Sequence, residues 1–290
     1  MDYFEPSALK SYKFSLLRNA TSSNIETQPF PHIVINNALP HSLAQSLTAS
    51  FPLSEFKLGQ NNKRFDISVS QLDNLNSISD EWRRFIYFHS SKYFFSQILQ
   101  LFKDHLPQKN ELSNIVNNKK ISVGRRKVDS FESSDILMDA QISINSPVIK
   151  KSSVRKIHVD HPNKIFSGLF YLRMPKDESG GGDLQLCSWK SNYSLKQKLK
   201  FYKEGVAEKH INVDKVIKYQ SNVCVLFLNS IDALHGVTPR HVTDQTRTFV
   251  NLVGEVPFDL YKKDSNFTKW VTKFRQKLSY FKKLLFKVNS

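Results

Sequence analysis

The sequence predicts an α+β fold that is mainly β, with helices early in the chain and an antiparallel sandwich or barrel behind them. Three observations carry this. Apolar residues recur at helical spacing over residues 39–51 and 80–105. From Ile136 the pattern changes to short strand-like runs separated by turn signals. Strands and helices do not alternate as βαβ units and no internal repeat is visible, so neither a parallel sheet nor a solenoid fits.

Taken in order, residues 1–28 are polar and rich in Ser, Thr and Asn, with a short apolar run at 14–17. They are expected to be an N-terminal extension packed partly on the body. Phe30-Pro31-His32-Ile33-Val34-Ile35-Asn36-Asn37 is an extended run ending in a turn signal. Leu39-Pro40 opens a helix to about residue 51, with the proline in the first turn, where its missing N–H is not needed. Residues 52–77 read as loop with short extended pieces. A single long helix is expected over 80–105, because Trp82, Phe85, Ile86, Phe88, His89, Tyr93, Phe94 and Ile98 recur at steps of three and four. Residues 107–132 carry Lys119, Lys120, Arg125, Arg126 and Lys127 without periodicity and read as a basic connection.

Strands are expected at 137–144, 154–160, 165–172, 183–189, 213–219, 223–228 and 246–253. Ser179-Gly180-Gly181-Gly182 reads as a turn rather than a phosphate loop, since no Lys-Ser/Thr and helix follow. The tail predicts a helix over 265–287, with Phe267, Trp270, Val271, Phe274, Leu278, Phe281 and Leu285 as its apolar stripe. The chain thus divides into an extension (1–28), one main domain (29–257) and a basic amphipathic C-terminal helix (258–290).

With 40% hydrophobic and 23% charged residues in 290, the composition is that of a soluble globular protein. Two cysteines, Cys187 and Cys224, argue against a disulfide-stapled scaffold and read as core thiols. No apolar run approaches the roughly 18–20 residues of a membrane span. Met1-Asp2-Tyr3-Phe4-Glu5-Pro6 lacks the basic and apolar regions of a signal peptide, so a cytoplasmic protein is expected. The net charge of +16 invites an anionic partner. Residues 258–290 hold nine Lys/Arg against two Asp, a concentration that lets the tail dock on the domain itself or meet an anionic surface. No nucleic-acid-binding motif is present.

The chemistry concentrates in Lys156-Ile157-His158-Val159-Asp160-His161-Pro162. In extended backbone, His158 and Asp160 project to the same side and can hold one metal ion. His235, in a turn after the apolar run 223–228, is the candidate third ligand. Two histidines and one carboxylate form the facial triad of non-haem Fe(II) sites, which leaves positions open for co-substrate and O2. Arg247 opens the next strand, where a fixed guanidinium can pair with a substrate carboxylate. Arg240 competes with it, but a rigid strand positions a clamp better than a turn does. His161 faces away from the triad and is expected in a loop. Asn229 and Asn251 are candidates to support the ligands or to satisfy turns.

This ordered set resembles the Fe(II)- and 2-oxoglutarate-dependent dioxygenases, in particular their prolyl-4-hydroxylase-like branch. The resemblance spans residues 28–257. The family's His-x-Asp, distal His and basic residue match His158, Asp160, His235 and Arg247; its Gly-Gly-x-Leu turn matches Gly181-Gly182-Asp183-Leu184. Tyr171 matches the tyrosine that shares the 2-oxoglutarate carboxylate. The resemblance implies a double-stranded β-helix (jelly-roll, cupin-like) core. It also implies Fe(II), 2-oxoglutarate and O2, with ascorbate as an optional reductant, and decarboxylation of 2-oxoglutarate to succinate and CO2 with hydroxylation of a protein, peptide or small molecule. Asp160 favours hydroxylation over halogenation, because halogenating relatives lack that carboxylate. A non-catalytic metal- and 2-oxoglutarate-binding module of the same fold and a zinc hydrolase stay open as alternatives.

Overall fold

The computed structural model describes residues 12–117 and 120–261. Ten strands appear among them: β1 (His32–Asn36), β2 (Arg64–Ile67), β3 (Val123–Arg125), β4 (Ile136–Asn145), β5 (Lys164–Tyr171), β6 (Leu184–Trp189), β7 (Ile211–Ile217), β8 (Val223–Leu228), β9 (Leu234–Val237) and β10 (Arg247–Glu255). They form a large sheet in the order β1-β8-β5-β10-β4-β2, with β3 parallel to β4, and a smaller antiparallel sheet in the order β7-β6-β9. Five α-helices accompany them: α1 (His41–Ala49), α2 (Asp80–His89), α3 (Lys92–Phe102), α4 (Asn110–Val116) and α5 (Leu195–Glu204). The fold is mixed and mainly β, as the run pattern predicts. The expected tail helix lies outside the described residues.

Alternation along the large sheet creates two environments. On β4, Met138, Ala140, Ile142 and Ile144 join Phe166 and Phe170 of β5 and Leu226 and Leu228 of β8 in one core with the helices. α2 and α3 cover this face: Phe85 meets Phe170 at 5.7 Å between ring centres, and Ala140 N donates to Ser90 Oγ at 3.1 Å. Phe14, Leu16 and Leu17 are buried in the same core. The opposite face carries Tyr171, Val223, Val225, Phe227 and Phe249, which pack with Leu184, Leu186 and Ile217 of the small sheet in a second core.

Several expectations need correction. The single helix over 80–105 is two helices. Ser90 closes α2, and Ser91 caps α3 by accepting from Phe94 N, so two adjacent serines turn the chain inside one continuous apolar pattern. Residues 154–160 are not a regular strand. They touch β9 and the turn after it at separate antiparallel points, Ser152 with Arg240, Arg155 with Val237 and His158 with His235, with irregular backbone between. His235 lies on β9, not in a turn. The basic connection contains α4 and β3, and α5 has no counterpart among the expected elements, whereas β2 is one of the short extended pieces expected within 52–77. The sequence did hold a signal for α5: Ser194 and Gln197 cap each other reciprocally.

Candidate metal centre

The irregular stretch before β5 and the regular β9 meet through a two-way backbone bridge. His158 N donates to His235 O and His235 N to His158 O, each at 2.9 Å. This brings the two imidazoles together, their centres 4.3 Å apart and their planes tilted by 58°. Asp160, two residues beyond His158 and buried, completes the set: one donor atom from each of His158, Asp160 and His235 falls within 4.8 Å of the others.

Each imidazole is oriented by its far nitrogen. His158 Nδ1 bonds Lys156 O at 2.8 Å and His235 Nδ1 bonds Ala233 O at 2.9 Å, which fixes the Nδ1–H tautomer and leaves each Nε2 lone pair inward. His158 Nε2 lies 3.7 Å from Asp160 Oδ1, and His235 Nε2 lies 3.8 Å from Asp160 Oδ2. His158 Nε2 is buried with no hydrogen-bond partner. Two inward lone pairs, one of them orphaned, beside a carboxylate fit a divalent cation. Burial pushes the His235 imidazole down to about 3 and keeps it neutral. For Asp160, burial acts to raise the pKa. The adjacent His158 imidazole and the Lys164 charge outweigh it and hold the carboxyl well below its usual range.

The surroundings of Asp160 were not legible in the sequence. Ser167 Oγ donates to Oδ2 at 2.6 Å, Lys164 Nζ lies 3.3 Å from Oδ2, and Arg155 lies 3.6 Å from Oδ1. Strand parity offered one signal, since Ser167 shares its face of β5 with Tyr171. Asn229 donates to His161 O and Lys164 O and so satisfies the turn behind the ligands. His161 is exposed in that turn, bonded to Asn163.

Arg247 enters the same space from the start of β10. Its Nε donates to Gly182 O at 2.9 Å and its Nη1 to Asn145 Oδ1 at 3.2 Å, while Nη2 is buried without a partner. The guanidinium lies 4.9 Å from the ring centres of Tyr171 and Tyr219 and 4.8 Å from that of Phe249. Tyr171 Oη is also buried and unpartnered, although Arg247 is near enough for its charge to oppose the burial that raises the phenol to about 12. The Tyr219 hydroxyl, by contrast, is taken up by Thr248 N at 2.8 Å. Two orphaned buried donors side by side are costly, roughly 1–3 kcal/mol each, unless a ligand accepts from them. Arg240 holds Asn62, Ser146 O and Gln245 O and has a structural role.

The glycine turn explains how Arg247 is held. Gly181 and Gly182 have φ of 79° and 80°, and a Cβ on Gly182 would lie 3.1 Å from Arg247 Cδ. His158, Asp160, His235 and Arg247 line one cavity of about 730 Å³ between the sheets; Tyr171 sits beside the guanidinium rather than on the cavity wall. Burial pushes the Cys187 thiol up to about 12 and Cys224 higher still.

No protein-family model matches the chain, and no curated protein matches it. Similar solved structures include a prolyl-4-hydroxylase from Pseudomonas putida, with 11% identity, 81% of this chain and 98% of that one covered, and a TM-score of 0.46. A prolyl 4-hydroxylase from Phytophthora capsici is 17% identical over 96% of this chain and 75% of that one, with a TM-score of 0.47. A prolyl hydroxylase from Trichoplax adhaerens, solved with a hypoxia inducible factor peptide, is 15% identical over 88% and 96%, with a TM-score of 0.40. At scores this low the likenesses carry no weight of their own. The strands and side chains above carry the chemistry.

Proposed function

We propose that the chain is an Fe(II)- and 2-oxoglutarate-dependent dioxygenase of the prolyl-4-hydroxylase-like branch, built on a double-stranded β-helix, that hydroxylates its substrate. The observation that carries this reading is one cavity holding both the His158–Asp160–His235 cluster and a buried guanidinium with an unused Nη2. The strand order, β8-β5-β10-β4 facing β7-β6-β9, supports the jelly-roll assignment.

His158, Asp160 and His235 would hold the iron through two Nε2 atoms and a carboxylate oxygen, a set suited to non-haem Fe(II). When bound, the iron supplies O2 activation coupled to decarboxylation of 2-oxoglutarate to succinate and CO2. The protein's own contribution is placement. Lys156 O and Ala233 O fix both imidazole tautomers, and Ser167 anchors the Asp160 oxygen nearer His235. Arg247 Nη2 and the Tyr171 hydroxyl are the donors that would take the distal carboxylate of 2-oxoglutarate, a charge-assisted contact in a water-poor site. The apolar wall of Phe227, Phe249 and Leu184 restricts water around it.

The test is succinate formation from 2-oxoglutarate by the full chain with Fe(II) and O2. Asp160→Ala should lower it by more than about 100-fold, beyond the loss expected from an outer-shell partner alone, with an unchanged circular-dichroism spectrum. Equal turnover in Asp160→Ala would overturn the ligand assignment. Tight metal and 2-oxoglutarate binding without succinate, across varied substrates, would favour the non-catalytic module instead.

A further inference from the structure

The mouth of the cavity carries more positive charge than the reading above uses. Besides Arg247, its lining includes Arg64, Arg126, Lys127, Arg155 and Lys164, against Asp66 and Asp160 among the described carboxylates that line it. Two of these cations have a specific difficulty. Lys164 Nζ and the Arg155 guanidinium both approach Asp160, at 3.3 and 3.6 Å. A carboxylate serving a divalent ion has little field left for two further cations, and Lys164 is only 17% exposed, so water screens it poorly. One 2-oxoglutarate brings two negative charges, which the metal and Arg247 already absorb. A site holding both still has Arg155 and Lys164 facing the cavity without a dedicated counter-charge.

The rest of the mouth continues that field. Lys127 is exposed and has a φ of 65°, a conformation few non-glycine residues adopt. The tight turn that carries it is closed by Val128 N and Asp129 N donating to Arg125 O and by Arg125 N donating to Asp129 Oδ2. Arg126 beside it is already engaged, 3.1 Å from Glu255 and 3.9 Å from Asp139, and Arg64 is paired with Asp66 at 2.8 Å. Arg155, Lys164 and Lys127 are therefore the cations with charge to offer.

We propose that the substrate is a small anionic molecule, carrying a carboxylate or phosphate group that Arg155 and Lys164 bind beside the metal centre, with Lys127 drawing it in. A cavity of about 730 Å³ lies within the roughly 300–1,000 Å³ typical of small-molecule sites. This rests on the dioxygenase reading and deepens it.

The experiment is calorimetric titration of the full chain, loaded with Zn(II) in place of iron and with 2-oxoglutarate, using three small probes: methyl phosphate, acetate and ethylammonium. At least one anion should bind at low ionic strength, and which one does distinguishes a phosphate from a carboxylate substrate. Ethylammonium should not bind. The Arg155→Gln/Lys164→Gln double variant should lose anion affinity about tenfold or more, since it removes both charged hydrogen-bonding partners. Lys92→Gln, an exposed residue at the start of α3, should leave it unchanged. Ethylammonium binding as well as the anions, or anion affinity unaltered in the double variant, would overturn the proposal. Failure of Zn(II) or 2-oxoglutarate to bind at all is a separate result that contradicts the dioxygenase reading instead.

Discussion

At the scale of single residues, the site is defined by which polar atoms have partners and which do not. Arg247 spends two of its nitrogens on Gly182 and Asn145 and leaves Nη2 unused, beside an unused Tyr171 hydroxyl. Arg247→Ala should therefore weaken 2-oxoglutarate binding by about 2–5 kcal/mol, the usual cost of truncating one partner of a buried charge pair. Calorimetry on the Zn(II)-loaded protein reads this directly. Tyr171→Phe is the subtler case. It removes an unpaired buried hydroxyl, so the melting temperature without 2-oxoglutarate should hold or rise, while affinity falls by about 0.5–1.5 kcal/mol, the net value of one hydrogen bond. A drop in melting temperature with unchanged affinity would make Tyr171 a packing residue. The gathering of His158, Asp160, His235 and Arg247 was legible from the order and spacing of the motif, although the strand parity expected to align His158 with Asp160 is absent from residues 154–160. Arg155 and Lys164 were not, because their meeting with Asp160 depends on the irregular path of residues 152–163.

At the scale of elements, turns and caps decide where apolar patterns stop. Gly181 is the clearest instance: its φ is 79° and a Cβ there would lie 2.0 Å from Pro239 O. Gly181→Ala must displace the turn that presents Gly182 O to Arg247, and should destabilise the fold by more than the roughly 1–2 kcal/mol of left-handed strain alone. Gly205→Ala, where φ is 87° but nothing lies within 4 Å, should show only backbone strain, and chemical denaturation of the two variants compares them. His89 ends α2 fully buried: Nδ1 pairs with Phe85 O at 2.7 Å, and Nε2 accepts from Leu16 N at 3.3 Å. Burial lowers it to about 3, and protonation would also turn the acceptor against the Leu16 N–H. An unfolded histidine takes up its proton near 6.5, so the unfolded state binds more protons between about pH 6.5 and 3. Stability from this group is thus intact above about 6.5 and lost as pH falls, at up to about 1.4 kcal/mol per pH unit. His89→Gln, which keeps an acceptor for Leu16, should flatten that slope in pH-dependent unfolding, and an unchanged slope would contradict the assignment. The same local logic explains the misreadings: an uninterrupted apolar period hid the Ser90–Ser91 break, and β9 is too short to announce itself.

At the scale of the molecule, one sheet serves two faces with different tasks. Its outer face is sealed by α2 and α3 over Phe166, Phe170 and Leu226, and Phe170→Ala should cost about 3–5 kcal/mol in denaturant unfolding, as expected for emptying a buried aromatic site. Its inner face is apolar around Tyr171, Phe227 and Phe249 and polar where the cavity opens past Arg247 to Arg126 and Lys127. The α+β, mainly β architecture was legible from the change of period at Ile136; the pairing of strands was not, since β1 and β2 join the large sheet through contacts remote in sequence. No helix among the described residues is long and apolar enough to cross a membrane. The central claim is that metal and 2-oxoglutarate meet in this cavity. Anaerobic titration of the Fe(II)-loaded chain with 2-oxoglutarate tests it most directly: the account predicts a weak visible charge-transfer band that is lost in His235→Ala. Firmly bound Fe(II) with no such band at saturating 2-oxoglutarate would contradict it.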